Sequence, residues 1–583
     1  MPRVLLTSVC RPLGPQYGDA PSVGYELLFG QVTQAQGLFS PRATHVHWSL
    51  DYLAENLEAP TTVLQYPTQR ELVRELQRGY DVVGVSFVLA TFHRMKECVS
   101  LIRRHCPRAR IVLGGYGTVL SDDVLAPHCD HVCREEGVAF MRRLLGEPEL
   151  APPYRHPLLV SRLSVFGKEV SRTGIVFGGL GCPNGCDFCC TSHYFKRRYI
   201  PLLPTGRDLY DVMMRYQQLE SGMGIVLLDE DFLLDRRRAL EFRDCVVRGG
   251  VPLSISAFAS VRSLSQYRID ELLEMGIDGL WIGFEGTRSG YPKQRGRPVE
   301  ELFSELRSHG ISILASMMLG FDYQTPAIIR QELDTLLKLR PSFCQFLIYG
   351  PSPGTPLYRR VMDQQLLEPA FAQDSERYYR ACTGFAAMVQ HPRMSAHELE
   401  QARQDCAQRD FGELGPSVLR VVEARLLGYL RLRNSPNPML RTKSDLFRRF
   451  VRRAYPLFEP GRRFAPTPAV REWVADLEAR VYATLGPPTP RERALSIAAV
   501  GSAAWTGLCL RLGLFQHPKL TRRVRPGAGN GGPESGGEND RDQPRSPWRT
   551  SGVDSKSPLP SRIWNKSSGL CSKEAQPLPR YNS

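Results

Sequence analysis

Three cysteines in one short loop are the residues best able to do chemistry in this sequence. Cys182, Cys186 and Cys189 are separated by three and by two residues within the stretch GCPNGCDFCC at 181–190. Thiolates are soft ligands that favour zinc or iron–sulfur clusters over hard cations. Cys190 directly follows Cys189 and would point elsewhere, so we do not count it as a ligand. The spacing predicts one metal centre held by three cysteines.

Two kinds of centre agree with this spacing. A structural zinc site normally takes four ligands, commonly arranged as two pairs, and here His193 would have to supply the fourth. A four-iron cluster held by three cysteines instead leaves one iron open to an outside ligand, which is a catalytic arrangement. A zinc site completed by His193 is therefore the alternative to a catalytic iron–sulfur cluster.

The elements around the loop must position it. From 172 to 365 short β-branched and aromatic runs alternate with helical patterns, which predicts an α/β fold with a parallel sheet and a partial (β/α)6 barrel. The predicted strands are 175–177, 225–228, 253–257, 280–283, 313–317 and 343–348. The cysteine loop follows the first strand, at the carboxyl end where barrel active sites lie.

Residues 1–145 are predicted to form a separate, doubly wound α/β domain. The runs 4–6, 82–86 and 111–113 have the apolar composition of strands buried on both faces, and Phe92–His105 has helical spacing. The run 111–113 leads into Gly114 and Gly115, a glycine turn at the place where open α/β sheets bind ligands. The Pro-rich stretch that follows predicts a linker over 146–171.

The carboxyl-terminal part has no convincing strand pattern. Residues 366–522 are predicted to be a helical region, and 523–583 a disordered tail rich in Gly, Pro and Ser. Segment 416–465 carries twelve Arg or Lys residues against three acidic ones. This is typical either of a basic face packed over the barrel or of an amphipathic helix on an anionic membrane. The uncharged run 494–510 predicts a buried helix or a monotopic anchor, since a span needs ~20 residues.

Composition excludes several classes of protein. The chain has 583 residues, of which 42% are hydrophobic and 23% charged, so it is neither wholly disordered nor collagen-like. Its formal net charge of +15 favours anionic partners without selecting one. Fifteen cysteines are too dilute for a disulfide scaffold, and the first residues lack a signal-peptide pattern. We expect a cytoplasmic protein, either free or membrane-associated.

The cysteine motif and four later segments resemble the radical S-adenosylmethionine (SAM) superfamily. The segments follow successive predicted strands, as in the subgroup with an amino-terminal cobalamin-binding domain. They are LDEDF at 228–232, IGFEG at 282–286, MLGF at 318–321 and YGPSPGTPLY at 349–358. The domain upstream, with Ser86 at the end of one strand and the sequence LGG at 113–115, resembles the cobalamin-binding fold of that subgroup. The resemblance covers about 1–365.

This resemblance implies roles for the cysteine loop. Cys182, Cys186 and Cys189 would ligate three irons of a [4Fe-4S] cluster, and the fourth iron would bind SAM. Phe188 occupies the aromatic position that packs near the adenine. Reductive cleavage of SAM would give methionine and a 5′-deoxyadenosyl radical.

Four further side chains are candidates for holding SAM. Glu285 is the best candidate to hydrogen-bond its methionyl or ribose part. Glu230 and Asp231 either hold the ammonium group or only begin a helix. Arg262 either pairs with the carboxylate of SAM or caps its own loop.

Cobalamin is the other cofactor that the resemblance implies, with Ser86, Gly114 and Gly115 as its candidate contacts. The sequence lacks Asp-x-His-x-x-Gly, the motif whose histidine ligates cobalt in other cobalamin proteins. We expect His93 and His105 to be surface residues of the helix between two strands. Either cobalamin binds without a protein histidine, or the domain no longer binds it.

The favoured function is methylation of an unactivated carbon in a specialised metabolite or lipid-like substrate. An external one-electron reductant of the flavodoxin or ferredoxin type would supply the electron to the cluster. The segment 416–465 would make peripheral contact with a membrane. Alternatives are a radical cyclase or rearrangement enzyme, a transfer-RNA methylthiotransferase, and a non-enzymatic zinc or cobalamin regulator. A nucleic-acid partner is not favoured, because the basic side chains lie in predicted helices and not in a β-rich RNA-binding module.

Overall fold

The amino-terminal sheet has the doubly wound topology that the sequence predicts. We describe a computed structural model over residues 1–20, 22–44, 46–514 and 518–527, with the backbone of 549–550. The spatial order of the strands is Arg549–Thr550, Thr521–Arg525, Thr61–Gln65, Val4–Ser8, Val82–Ser86, Arg110–Gly114 and His131–Val132. The five strands from Thr61–Gln65 onward are parallel.

Helices cover both faces of this sheet, because its central strands are apolar on both sides. One apolar core surrounds Leu5, Val83 and Ile111, and a second core on the opposite face surrounds Val4 and Val82. The helices of this domain are Leu27–Gln31, Trp48–Glu55, Gln69–Leu76, Phe92–His105, Asp122–Leu125 and Gly137–Leu145. The helix Phe92–His105 begins and ends where its apolar spacing predicts.

The second sheet is the predicted partial barrel. Its six parallel strands are Lys168–Val176, Gly224–Leu227, Ile255–Ala259, Ile277–Glu285, Ser312–Leu319 and Phe343–Ile348. The helices that follow the strands are Cys190–Tyr194, Gly206–Leu219, Arg236–Gly249, Val261–Leu264, Ile269–Glu274, Val299–Ser308, Pro326–Lys338 and Pro356–Asp363. A short strand pair, Gly179–Leu180 with Ile200–Pro201, brackets the cysteine loop.

The stretch expected to be a linker, 146–171, differs from that expectation. It contains the strand Leu159–Val165, which pairs antiparallel with the first barrel strand and extends the sheet, and Arg42–Ala43 adds a further strand. The proline-rich start of the stretch hides the alternating pattern that follows it. Phe166 and Gly167, both with positive φ, make the tight turn of this hairpin.

The carboxyl-terminal region is helical, as predicted. Its helices are Pro369–Ala372, Ser375–Ala381, Ala396–Leu414, Ser417–Leu432, Pro438–Arg453, Phe458–Arg463, Pro468–Leu485 and Pro490–Arg511. Several bases of 416–465 are buried against the barrel. Asp278 lies between Arg425 at 3.0 Å and Lys443 at 2.7 Å, and Arg420 pairs with Asp410 at 2.8 Å. Part of the basic segment is therefore a packing surface.

A strand at Thr521–Arg525 is not foreseen by the sequence. It pairs antiparallel with Thr61–Gln65 and so joins the carboxyl-terminal segment to the edge of the amino-terminal sheet. Arg522 pairs with Glu75 at 2.8 Å and Arg523 with Asp51 at 3.1 Å. Most of the tail predicted to be disordered, 528–548 and 551–583, lies outside the described residues.

Candidate active site

The cysteine loop is a tight turn between the strand Gly179–Leu180 and the helix Cys190–Tyr194. Cys182 and Cys186 are buried and Cys189 is half-buried. The amide of Cys189 donates to the carbonyl oxygen of Cys186 at 3.0 Å. Gly181 has φ +80°, and a Cβ there would lie 2.2 Å from the carbonyl oxygen of Arg198, so only glycine fits this turn.

The three thiols are soft donors held in a protected place. Burial raises the pKa of Cys182 to about 11 and that of Cys189 to about 12, and it also raises the pKa of Cys186. Free thiols here are therefore neutral, and a metal must displace their protons to bind. Among the described residues no group of three or more His, Cys, Asp or Glu side chains is gathered closely enough to hold a metal ion. The donor chemistry of the loop, and not a preformed cage, fits an iron–sulfur cluster.

His193, the fourth ligand of the zinc alternative, is engaged elsewhere. Its Nε2 lies 3.1 Å from the carbonyl oxygen of Cys186. Cys190 begins the helix after the loop, where burial raises the pKa of its thiol. A zinc site would therefore require His193 to give up this contact.

Asp231 and Arg262 both reach the cysteine loop through Asn184. The amide nitrogen of Asn184 donates to Asp231 Oδ2 at 3.2 Å, and its Oδ1 accepts from Arg262 at 2.5 Å. Ser263 donates to the other oxygen of Asp231 at 2.7 Å. The two predicted SAM contacts are thus brought together, and both are bonded to a residue between the first two cysteines. The sequence pattern did not single out Asn184.

Glu285 and Phe188 meet at a lysine that the sequence pattern also did not reveal. Glu285 ends the fourth barrel strand with φ +57° and forms a buried ion pair with Lys293. The ammonium of Lys293 lies 5.6 Å from the centre of the Phe188 ring. Burial acts to lower the pKa of Lys293, but Glu285 together with Cys186 and Cys189 outweighs it and the pKa is raised. A fixed ammonium therefore stands beside the cysteine loop.

Phe188 also lies among aromatic neighbours. Its ring packs edge-on against Tyr291 at 5.4 Å and Tyr349 at 5.9 Å. Both tyrosine hydroxyls donate to the carboxylate of Asp187 at 2.6 Å. This aromatic enclosure joins the cysteine loop to the fourth and sixth strands.

Glu230 stands in a cleft. Its side chain is accessible to water although protein surrounds it closely, and burial raises its pKa from 4.5 to about 7. A carboxyl so closely surrounded by protein is poorly solvated even where water reaches it. Burial and the neighbouring Glu230 raise the pKa of Tyr116, a residue of the amino-terminal domain. The cleft therefore lies between the two sheets.

Inward-facing side chains continue the cleft into the barrel. The rings of Phe258 and Trp281 stack with their centres 4.9 Å apart. The Trp281 Nε1 donates to Ser316 at 2.7 Å, and Ser316 donates to Gln345 at 2.8 Å. Ser256 is exposed in mid-strand, which leaves the inside of the barrel open beside these rings.

The glycine turn of the amino-terminal domain lies at the carboxyl edge of its sheet. A Cβ on Gly114 would meet no atom within 4 Å, so this backbone faces open space. Gly115 differs, because it has φ +86° and a Cβ there would lie 2.5 Å from the carbonyl oxygen of Phe87. Ser86 is 9% exposed at the end of the neighbouring strand. The three predicted cobalamin contacts are thus adjacent, and Gly114 is the one that faces free space.

This turn touches the element that follows the cysteine loop. The hydroxyls of Thr118 and Tyr194 are 2.7 Å apart, and the rings of Tyr116 and Tyr194 are in edge contact at 5.3 Å. The carboxyl edges of the two sheets therefore face each other across one cleft.

His93 is not the surface residue that we expect from the sequence. Its side chain is 11% exposed, and Nε2 lies 3.1 Å from a fully buried oxygen of Asp19, which also pairs with Arg94. The Nδ1 atom of His93 is buried without a hydrogen-bond partner. His93 lies beside the apolar face of its helix. Its burial depends on Asp19, which belongs to a loop distant in sequence and carries no local pattern that reveals the pairing.

Comparison with known proteins agrees with this arrangement. Residues 44–145 match the B12 binding domain family. The anaerobic magnesium-protoporphyrin IX monomethyl ester cyclase of Cereibacter sphaeroides is 22% identical, over 53% of this chain and 57% of its own length. The bacteriochlorophyllide d C-12(1)-methyltransferase of Chlorobaculum tepidum is 26% identical, over 49% of this chain and 67% of its own. The matched region thus spans between about half and two thirds of the length of these relatives.

A solved structure is also similar. It is the radical SAM methyltransferase TsrM of Kitasatospora setae with cobalamin and a [4Fe-4S] cluster bound. The two chains share 15% identity and a TM-score of 0.48, over 77% of this chain and 99% of the other.

Proposed function

We infer the function from the architecture of the chain, which has the B12-binding domain and the three-cysteine barrel of the cobalamin-dependent radical SAM enzymes. We propose that it cleaves SAM reductively at a [4Fe-4S] cluster on Cys182, Cys186 and Cys189. The proposed reaction uses cobalamin to methylate an unactivated carbon of a specialised metabolite or lipid-like substrate. An external one-electron reductant, of the flavodoxin or ferredoxin type, would supply the electron.

One observation carries this proposal. The glycine turn at Gly114 and Gly115 leads into Thr118, whose hydroxyl lies 2.7 Å from that of Tyr194 in the helix after the cysteine loop, so the two candidate cofactor sites border each other. Two cofactors whose reactive atoms must reach one substrate carbon need such a shared space. A zinc or cobalamin regulator would not require it.

The side chains around the loop divide the work of holding SAM. Lys293 is placed to neutralise a carboxylate, and Glu285 both orients Lys293 and offers an acceptor for an ammonium or ribose hydroxyl. Asn184, held by Asp231 and Arg262, fixes the backbone between the first two cysteines. When bound, the cluster and SAM supply a carbon radical and cobalamin supplies a methyl donor; the protein orients them and excludes water.

Glu230 has a separate part in this proposal. With a pKa of about 7, its carboxyl is protonated in an appreciable fraction of molecules at neutral pH and can hold or release one proton in the cleft. Phe258 and Trp281 give the substrate a flat apolar wall. These features favour an aromatic or lipid-like substrate over a small polar one.

The test is a single turnover with anaerobically reconstituted enzyme and candidate substrates. A metabolite comparison of producing and deleted cells, searching for a mass difference of one methylene, would select those candidates. The proposal expects 5′-deoxyadenosine and S-adenosylhomocysteine in equal amounts. Deoxyadenosine without S-adenosylhomocysteine would indicate a cyclase or rearrangement enzyme, the second candidate that the cyclase relative keeps open. Methyl transfer without deoxyadenosine would contradict radical chemistry.

A further inference from the structure

The helix Pro490–Arg511 presents its apolar side outward. Among the described residues it is the one helix long and apolar enough to cross a membrane, yet only 17% of its most apolar window is buried. Six of the sixteen exposed large apolar side chains in the described chain lie in and just after this helix. They are Leu495, Ile497, Trp505, Leu508, Leu512 and Leu514, with Ile497 74% and Trp505 61% exposed.

The opposite side of the helix is fixed to the protein. Ala503, Thr506 and Cys509 are buried, and Ala503 packs in a cluster with Phe39 and Phe166. These contacts fix the rotation of the helix about its axis. Ile497, Trp505, Leu508 and Leu512 share the other side of the helix, and this apolar stripe therefore stays exposed.

The exposed charges of this helix are all positive. Arg491, Arg493 and Arg511 are exposed, while the only acidic residue of the helix, Glu492, is engaged by Arg452 at 2.7 Å. Arg452 brings the last turn of Pro438–Arg453 to the start of the helix. That turn adds the exposed side chains of Arg449, Phe450 and Arg453.

We propose that this helix lies flat on an anionic membrane surface, with its stripe among the lipid chains and its arginines at the headgroups. Its exposed apolar residues, its tryptophan and the flanking arginines are groups that bind a membrane interface, while protein, and not a polar face, covers the other side of the helix. A transmembrane orientation is disfavoured because the buried side of the helix is packed against protein along its second half. The exposed last turn of the helix Pro438–Arg453, which belongs to segment 416–465, contributes to the contact with the membrane.

A second copy of the chain is a poorer partner for this face. Every exposed charge on the helix is positive, so self-pairing in either direction would bring arginines together. Anionic lipid headgroups complement the same charges. The proposal concerns where the enzyme resides and is independent of the reaction that it catalyses.

Vesicle co-sedimentation tests the proposal with the full chain. We expect binding to phosphatidylcholine vesicles containing phosphatidylglycerol, and at least tenfold weaker binding to phosphatidylcholine alone. The triple variant Ile497→Gln, Trp505→Gln, Leu512→Gln should bind the anionic vesicles at least tenfold more weakly. The variant Arg491→Gln, Arg493→Gln, Arg511→Gln should lose most of the preference for anionic vesicles.

A matched control replaces three apolar residues that are exposed elsewhere, Leu219, Val247 and Met362, by Gln. This control should bind like wild type, and circular dichroism should show that all variants are folded. Equal binding by the Ile497 triple variant and wild type would overturn the proposal. So would a wild-type dimer in light scattering that this variant converts to a monomer, with no vesicle binding by either protein.

Discussion

The glycine turn offers a sharp test of cobalamin binding, because its two glycines are there for different reasons. Gly114 has an ordinary backbone conformation and faces open space, whereas Gly115 is required by its φ of +86°. We expect Gly114→Val to block the approach of a corrin ring without harming the fold. Gly115→Val should damage the fold itself.

The expected magnitudes follow from these geometries. A Cβ at 114 meets no atom within 4 Å and the residue ends a strand, so stability of the valine variant should stay within about 1 kcal/mol of wild type. At 115 the backbone has φ +86° and ψ 175°, a conformation that essentially only glycine adopts and that costs another residue about 1–3 kcal/mol, and the contact of 2.5 Å with the Phe87 carbonyl oxygen adds to it. If the corrin ring occupies the space beside Gly114, filling this space with a valine side chain should weaken hydroxocobalamin binding at least tenfold, or by about 1.4 kcal/mol.

The assay combines thermal unfolding with absorbance titration of hydroxocobalamin and its retention after desalting. Gly114→Val should unfold like wild type and retain little corrin. Gly114→Ala, with a smaller side chain, should lie between the two. If a folded Gly114→Val protein retains as much hydroxocobalamin as wild type, the placement of cobalamin at this turn is refuted. If wild type itself retains no hydroxocobalamin, cobalamin is removed from the proposed mechanism.

Three further predictions concern the barrel side of the cleft. Alanine at Cys182, Cys186 or Cys189 should abolish the cluster, measured by iron and sulfide content, while Cys190→Ala should retain it; the reverse for Cys189 and Cys190 would show a wrong register. Lys293→Met should weaken equilibrium binding of SAM at least tenfold in cluster-loaded protein and Lys293→Arg less, whereas equal affinities would exclude the proposed carboxylate contact. The folded-state pKa of Glu230 is raised from 4.5 to about 7, so this residue costs stability as pH rises through that range. The Tm of Glu230→Gln should therefore rise relative to that of wild type between about pH 5 and pH 7, with no further gain above pH 7. A difference in Tm that does not change with pH would contradict the raised pKa.

The fold was largely predictable because it depends on local patterns. The strand at Phe343–Ile348 and the helix Phe92–His105 have the predicted bounds, since their apolar periods match their burial. The hairpin strand Leu159–Val165 was missed because prolines precede it. The strand Thr521–Arg525 was missed because its three arginines give no apolar alternation, and because it pairs with a strand more than 450 residues earlier.

The candidate site was predictable only as far as motifs reach. The cysteines follow a strand end and Glu285 is the last residue of a strand, and both lie in recognisable segments. Lys293 and Asn184 carry no such signal, because their roles depend on which side chains of distant strands meet them. The pairing of His93 with Asp19 is of the same kind, since it requires the turn of a loop that the sequence pattern does not describe.

The strand Thr521–Arg525 has a consequence for how the protein can be built and divided. Asp51 in the B12-binding domain is fully buried, and its cationic partner Arg523 is supplied only by the far end of the chain. Burial raises the pKa of Asp51 and Arg523 opposes that rise, so a domain expressed alone would keep a carboxyl without its counter-charge and an open sheet edge. During synthesis, this domain leaves the ribosome long before its edge strand does. Its final stability is therefore acquired after the barrel has been made, and an excised cobalamin domain should include this strand as a separate peptide or a fused segment.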